Sequence, residues 1–259
     1  MPVLIDKQIQ YGFNYFHKDE PRQKWVIEVA EYNGESALTI NCTQLGDSFT
    51  PQYKTAGQKK RVLQEWCDFL IKNDTAFEEL RFGSRMPQQL FDAACSQKRF
   101  KKLSIKWGVY PDLTRLAQLT KLEYLHLGSG SGTISILPIA KLTNLVALSV
   151  ENFQKITDYS PFTALTHLES LSIEGDGMGP QYIHVDSLEF LKQMPQLRFF
   201  SLLTARLKSK DLSPLLALTQ LEHLTLRASK EAKALYPQLA ALPKLKYGLL
   251  VKRPEMYKS

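Results

Sequence analysis

The sequence predicts an α/β solenoid, a stack of short units that share one parallel β-sheet backed by short helices. Three observations predict it: a pattern that recurs at a regular spacing, alternating burial within that pattern, and similar segments between its copies. The pattern has apolar residues at its first, fourth and sixth positions, as at Leu122, Leu125 and Leu127, and it returns 23 residues later at Leu145. A period in the twenties indicates stacked structural repeats.

The same register extends in both directions and gives eight units. Their first residues are Phe77, Phe100, Leu122, Leu145, Leu168, Leu197, Leu221 and Leu245, the last unit being degraded because glycine stands at its fourth position. Within each unit the fourth and sixth residues alternate with polar ones, which predicts a short strand with one buried face. One strand cannot bury that face alone, so neighbouring units are expected to stack their strands into a parallel sheet.

The segments between the strands repeat as well. Residues 134–143, 156–166 and 212–219 each place a proline before a short apolar turn that ends in Leu-Thr. Such a turn predicts a short or 3₁₀ helix. These segments resemble the return of internalin-type and related bacterial leucine-rich repeats, over about residues 77–250. The resemblance implies a solenoid with a parallel sheet on its concave face and short or 3₁₀ helices on its convex face.

Residues 1–76 do not follow the repeat, and we interpret them as a cap on a repeat domain of residues 77–259. Two alternating runs, Trp25–Glu31 and Ser36–Cys42, flank Asn33 and Gly34, a pair that predicts a β-hairpin. The run Tyr11–Phe16 is a candidate third strand. The alternative interpretation is a separate binding module.

The rest of the cap region contains one helix and one further strand. Residues Gln58–Lys72 place apolar side chains on one face and predict an amphipathic helix. Leu38 and Ile40 are candidates for the first strand of the solenoid sheet, with this helix as its return.

Composition points to a soluble, cytoplasmic and monomeric protein, and the repeat type points to bacteria. No run approaches the roughly 20 apolar residues of a membrane span, and the N-terminus lacks the features of a signal peptide. The cysteines Cys42, Cys67 and Cys95 are odd in number and have no paired spacing. They predict buried thiols in a reducing compartment rather than disulfides or a zinc site.

The third and fifth residues of each unit are expected to point away from the core, so we place a protein-binding surface on this concave face. Aromatic residues and arginine are enriched at interface hot spots. The expected partner-binding residues are Trp107, Tyr124, His126, Glu151, Glu174, Phe199, His223, Arg227 and Tyr247, with Met178 and Tyr182 from a longer loop at residues 174–186.

Charge favours a protein partner over nucleic acid. The net charge of +7 is distributed unevenly, because residues 81–106 and 192–259 are basic and residues 107–191 are acidic. A nucleic-acid groove needs a continuous positive track, which this pattern interrupts. The alternatives left open are an immunity protein that blocks a toxin enzyme, and nucleic-acid binding through the basic patches.

No catalytic residue, metal site or cofactor is predicted. His126 and His223 fall four strands apart, about 19 Å by the usual strand spacing, so they cannot share a metal. Ser149 adjoins His126 in the fifth-position column, but no carboxylate is placed to orient the imidazole ring. The sequence therefore predicts a non-catalytic binding module.

Overall fold

Nine parallel strands form one sheet in the computed structural model, which describes residues 4–13, 23–177, 179 and 181–258. The sheet order is β1-β2-β3-β5-β7-β8-β9-β11-β13, and two separate parallel pairs, β4 with β6 and β10 with β12, lie beside it. The strands are β1 (Trp25–Val26), β2 (Ala37–Ile40), β3 (Glu79–Phe82), β4 (Met86–Pro87), β5 (Lys102–Ile105), β6 (Gly108–Val109), β7 (Tyr124–Leu127), β8 (Ala147–Glu151), β9 (Ser170–Glu174), β10 (Ile183–Val185), β11 (Phe199–Leu203), β12 (Ala205–Leu207) and β13 (His223–Leu226).

The predicted register is confirmed from the first unit to the seventh. The fourth-position residues are successive Cα partners across the sheet and are fully buried: Leu80, Leu103, Leu125, Leu148, Leu171, Phe200 and Leu224. Each unit therefore covers the apolar face of its neighbour, which is why these residues form a stack.

Short helices back the sheet, and the 3₁₀ prediction for the return segments is confirmed. Five of them run in sequence at Thr114–Gln118, Ile139–Lys141, Ser160–Ala164, Glu189–Gln193 and Ser213–Ala217. Each contributes a fully buried apolar residue, such as Phe162, to the same core as the strands. Two earlier units use α-helices instead, α2 (Ala56–Lys72) and α3 (Gln88–Ala94).

The N-terminal strand pairs with β2 in parallel, so the hairpin prediction for residues 25–42 is wrong. After β1, the chain forms a 3₁₀ helix at Val29–Glu31 and returns to the starting edge before β2 begins. The buried indole of Trp66 donates to the carbonyl of Ile27 at 2.7 Å and holds this crossover against α2. The Asn-Gly signal is overridden because the apolar residues before it bury under α2, with Val26 inaccessible to solvent.

Of the other predictions for the cap region, two are confirmed and one is wrong. The predicted strand at Leu38 and Ile40 is present and pairs with β3. The predicted amphipathic helix is present as α2, and the side chain of Thr55 caps it by accepting a hydrogen bond from the backbone N–H of Gln58. The third strand is wrong at Tyr11, which ends the helix α1 (Asp6–Tyr11), whereas residues 14–16 lie outside the described residues. The division into a cap and a repeat domain stays a prediction.

The last unit is reduced to a single bridge between His223 and Tyr247. Gly248 follows with a φ of +98°, and a Cβ there would lie 2.0 Å from the carbonyl oxygen of Leu224. Glycine thus turns the chain out of the ladder and into α5 (Leu249–Lys252). The helices α4 (Lys230–Ala240) and α5 and a 3₁₀ helix at Pro254–Met256 form the C-terminal end of the solenoid.

Candidate functional site

The fifth-position side chains form a continuous column on the face of the sheet opposite the helices, here called the outward face. Its members are successive Cα partners: Arg81, Ser104, His126, Ser149, Ser172, Ser201 and Thr225. The parallel register therefore builds the predicted surface. Solvent access to it, however, differs between its two ends.

The chain's own N-terminal segment, residues 4–13, covers the C-terminal part of the outward face. Leu4, Ile9 and Phe13 are buried in a cluster with Val146 and Ala147 of the solenoid. The ring of Phe13 lies 6.0 Å from that of Tyr124, measured between centroids. Tyr247 packs at the edge of the same cluster. We call the outward-facing residues of β8, β9, β11 and β13 the covered region.

The prediction that Phe199 and His223 are exposed is wrong. Phe199 is 6% exposed and His223 8% exposed, and their rings contact each other at a tilt of 32°, with centroids 4.1 Å apart. Gly12 approaches the tip of the Phe199 ring, so the cause is the N-terminal segment rather than a change of register. Tyr124 and Tyr247 remain half-buried. Four of the predicted partner-binding residues thus lie at or beneath this segment.

Charged residues bind the backbone of the segment at Leu4. The Leu4 N–H donates to Oε2 of Glu169 at 3.4 Å, and Nη1 of Arg198 donates to the Leu4 carbonyl at 3.3 Å. Arg198 also pairs with Glu169 at 3.0 Å and with Glu222 at 2.8 Å, and Lys246 pairs with Glu222 at 3.2 Å. The second position of the last four units therefore carries an alternating charge ladder.

His126, in the middle of the column, is held as a neutral imidazole. Its Nδ1 lies 3.1 Å from Oγ of Ser149. Burial, with a smaller contribution from the charge of Arg81, lowers the pKa of His126 to about 4. A cavity of about 300 Å³ adjoins this pair and is closed on one side by residues 11–13. Among the described residues, the hydrogen bonds of the ring include none to a carboxylate, so the pair lacks the orienting group of a catalytic triad.

Glu151 and Glu174 are Cα partners at the ends of β8 and β9. Glu174 accepts hydrogen bonds from the hydroxyls of Ser172 and Ser201, each at 2.8 Å. Burial raises the pKa of Glu151, and the carboxylates of Glu174 and Asp176 raise it further. Two predicted contact residues thus form an acidic pair at the C-terminal ends of two strands of the covered region.

The longer loop brings Tyr182 and Arg227 together at the C-terminal edge. The guanidinium of Arg227 lies 4.9 Å from the Tyr182 ring centroid, and that of Arg206 lies 5.0 Å from it. This cation–π contact brings together Tyr182 and Arg227, which were predicted separately as partner-binding residues. The third loop candidate, Met178, lies outside the described residues.

At the other end, the outward face is open to solvent. Trp25 is 53% exposed and lines a depression of about 570 Å³ with Thr39, Arg81 and Lys106. Next in the chain, the half-buried ring of Trp107 lies 5.7 Å from the guanidinium of Arg85. We call these six residues the uncovered region. Only Trp107 was predicted as a contact residue, and Thr39 and Arg81 could have been found because strand alternation continues through β2 and β3.

The densest basic run, residues 97–106, is largely neutralised. Lys98 pairs with Asp74, Arg99 and Lys101 pair with Glu78, and Lys102 pairs with Glu79 at 2.9 Å. Glu78 and Glu79 lie at the start of the first unit, and Asp74 lies just before it. The basic run therefore ties the second strand of the repeat to the chain around the first more than it provides a free positive surface.

The remaining features of the described residues concern reactive cysteines, metal ligands and membrane-spanning helices. Cys42, Cys67 and Cys95 are free and buried, as predicted, and burial raises the pKa of each thiol. No group of three or more histidine, cysteine or acidic side chains within residues 4–13, 23–177, 179 and 181–258 has the geometry to hold a metal ion. Over the same ranges, no helix is both long enough and apolar enough to cross a membrane.

Repeating strands in parallel register, 3₁₀ returns and a continuous leucine core together decide the architecture. The fold is a leucine-rich-repeat solenoid. No protein-family model matches the chain, and no curated protein is significantly similar to it.

The solved structures to which this chain is similar include two internalins from Listeria monocytogenes and a plant receptor. Internalin inlF aligns at 21% identity over 67% of this chain with a TM-score of 0.49, and internalin C2 at 21% over 69% with a TM-score of 0.45. The plant peptide hormone receptor RGFR1, solved with RGF2, aligns at 15% identity over 69% of this chain with a TM-score of 0.39. The chain spans 54%, 71% and 32% of the lengths of these three structures, respectively.

Proposed function

We propose that this chain is a non-catalytic, cytoplasmic protein-interaction module that binds a protein partner through the uncovered region and the Tyr182 edge. The supporting observation is that aromatic and cationic side chains lie together at both ends of the outward face. At one end exposed Trp25 shares a depression with Arg81, and exposed Arg85 lies over the half-buried ring of Trp107. At the other end two exposed arginines lie over the half-buried ring of Tyr182. Large aromatic rings and arginine supply most of the binding energy at protein interfaces.

The charge of the outward face favours a partner that carries both signs. Arg81 and Lys106 present positive charge in the uncovered region, whereas Glu151 and Glu174 present negative charge beyond it. Alternating charges fix the register of a complex and suppress wrong partners. A protein with its own alternating charge fits this surface better than a uniformly anionic nucleic acid does.

The proposal is tested by capture from a lysate of the source organism, followed by substitution. We expect Trp25→Ala and Trp107→Ala each to weaken binding of the captured partner at least tenfold, because truncated hot-spot residues typically cost a factor of that size or more. Phe49→Ala is the matched control, since Phe49 is an exposed aromatic residue in a loop away from the strands. Unchanged affinity in both tryptophan variants would contradict the proposed surface.

An immunity role is a special case of the same proposal, in which the partner is an enzyme that loses activity in the complex. Nucleic-acid binding is the competing function. Titration of labelled RNA and DNA at two salt concentrations separates them, because phosphate-driven binding weakens steeply as salt rises. The ion pairs of Lys98, Arg99, Lys101 and Lys102 leave few free cations in the basic run, so we expect weak binding in this assay.

A further inference from the structure

We propose that the covered region is a second docking groove, which accepts a short segment of a partner protein that forms a helical turn flanked by apolar side chains. Residues 4–13 occupy the groove until that segment displaces them. The inference rests on the proposed protein-binding function and adds to it a site and a kind of ligand. The N-terminal segment itself shows what chemistry the groove accepts.

The segment is separable from the solenoid core. Leu4, Ile9 and Phe13 form a cluster with Val146 and Ala147 that is distinct from the continuous core between the sheet and the helices. Departure of residues 4–13 therefore exposes the outward face without opening the core that stabilises the repeats. A region held by few apolar contacts opens at a lower free energy than the global unfolding of a protein.

The groove keeps its shape when the segment leaves. Arg198 is bound by Glu169 and Glu222 in addition to the Leu4 carbonyl. Loss of Leu4 thus leaves no isolated buried charge, which would otherwise be costly. Glu169 and Arg198 of this ladder can also hydrogen-bond the backbone of another segment that binds where Leu4 lies.

The segment is weakly held. Its helix has six residues, which is too short to be stable without docking. The hydrophobic gain from three buried side chains is comparable to the entropy cost of ordering ten residues. The fit is also incomplete, because Nδ1 of His223 is buried with no hydrogen-bond partner among the described residues.

These contacts specify the partner. The partner segment should carry one large apolar side chain within a short helix, a second five residues before it and a third four residues after it, as Ile9, Leu4 and Phe13 are placed. A hydrogen-bonding group placed opposite Nδ1 of His223, a donor or an acceptor according to the imidazole tautomer, would satisfy the atom that residues 4–13 leave unpaired. Such a ligand would bind the groove better than the resident segment does, which is the requirement for displacement.

The test uses the full chain and a labelled synthetic peptide of residues 4–13. In the full chain, Ile9→Asp removes the fully buried anchor and should release the resident segment. We expect the peptide to bind this variant at least tenfold more tightly than it binds the wild type, in which the tethered segment competes at high effective concentration. Ile5→Asp is the matched control, because Ile5 lies one turn away and is 55% exposed. Equal binding to all three proteins, or none to the Ile9→Asp chain, would overturn the proposal.

Two further measurements guard against misfolding and self-association. In the wild type, hydrogen exchange should be at least a hundredfold faster in α1 than in β8, β9 and β11. Equal protection would show that the segment is a permanent part of the fold and would overturn the inference. Light scattering should find a monomer at high concentration, and a dimer that Ile9→Asp abolishes would assign the groove to a second copy of the chain instead.

The two proposals fail separately. The peptide experiment changes no residue of the uncovered region, so a negative result leaves the proposed function in place. Unchanged partner affinity in the Trp25→Ala and Trp107→Ala variants would contradict the proposed function, and it would in turn leave peptide binding to the Ile9→Asp chain unaffected.

Discussion

The covered and uncovered regions of the outward face are built by the same strand repeat, yet they present opposite environments. Phe199 and His223 occupy the third position of their units and are buried, while Arg81, at the fifth position of its unit, lines a solvent-filled depression. The difference does not come from the strands, whose register is unbroken. It comes from a ten-residue segment packed on one end, so a strand position alone does not determine exposure.

The largest expected contrast is in stability. Phe199→Ala should lower the free energy of unfolding by about 3 kcal/mol, since a large aromatic side chain is lost from a buried site. Trp25→Ala should change it by less than about 1 kcal/mol, because an exposed ring is removed. Chemical denaturation followed by circular dichroism measures both. Similar losses in the two variants would erase the distinction between the regions.

A second contrast is in pH dependence. Burial lowers the pKa of His223 to about 4, although the nearby backbone of Ile9 and Gln10 opposes part of the shift. The unfolded state, with a pKa near 6.5, takes up the proton first as the pH falls. Stability should therefore decrease by about 3 kcal/mol from pH 7 to pH 4 on account of His223 alone.

His223→Gln should remove that part of the pH dependence, and denaturation curves at pH 7, 5.5 and 4 measure it. His126, whose pKa is also about 4, provides a second contribution that persists in the variant. Identical pH profiles for the wild type and His223→Gln would contradict burial of this histidine beneath residues 4–13.

The charge ladder predicts a smaller effect. Burial opposes ionisation of Glu222, but the hydrogen bonds and charges of Arg198 and Lys246 prevail and lower its pKa. The stabilisation from Glu222 is present above the unfolded pKa, near 4.3, and is lost as the pH falls through the folded value. Arg198→Met should destabilise the chain by about 1–2 kcal/mol at pH 7 and by less at pH 3, below the unfolded pKa of Glu222.

Arg206→Met serves as the control for Arg198→Met, because Arg206 is exposed on the short β12 strand and should change stability little at either pH. Equal losses in the two arginine variants would show that the ladder does not stabilise the covered region.

The smallest effect is expected in the uncovered region. A double-mutant cycle on Arg85 and Trp107 should give a coupling of about 0.5 kcal/mol, the usual size of an exposed cation–π pair. Thermal denaturation of the four proteins measures it. A coupling above about 2 kcal/mol would mean that this pair is buried in solution and unavailable to a partner.

Prediction from sequence succeeded where each residue's role depends on its neighbours along the chain. Local period and turn chemistry predict the leucine register and the strand at Leu38. They also predict the 3₁₀ return segments at Pro138, Pro161 and Pro214. It failed at Asn33 and Gly34, where burial of the preceding residues under α2 overrode a strong local hairpin signal. For the candidate site, it identified the outward columns but not their solvent access.

The sequence by itself determined the repeat, its register and the side chains that project from the sheet, because a period in the twenties can bury its leucines in only one way. The tertiary structure alone decided that residues 4–13 return across more than a hundred positions to lie on Ala147 and Phe199. That contact follows from no periodicity. The sequence of such a short segment does not indicate which surface it will cover. Its binding site exists only once the solenoid has folded and placed Arg198 and Glu169 next to the backbone of Leu4.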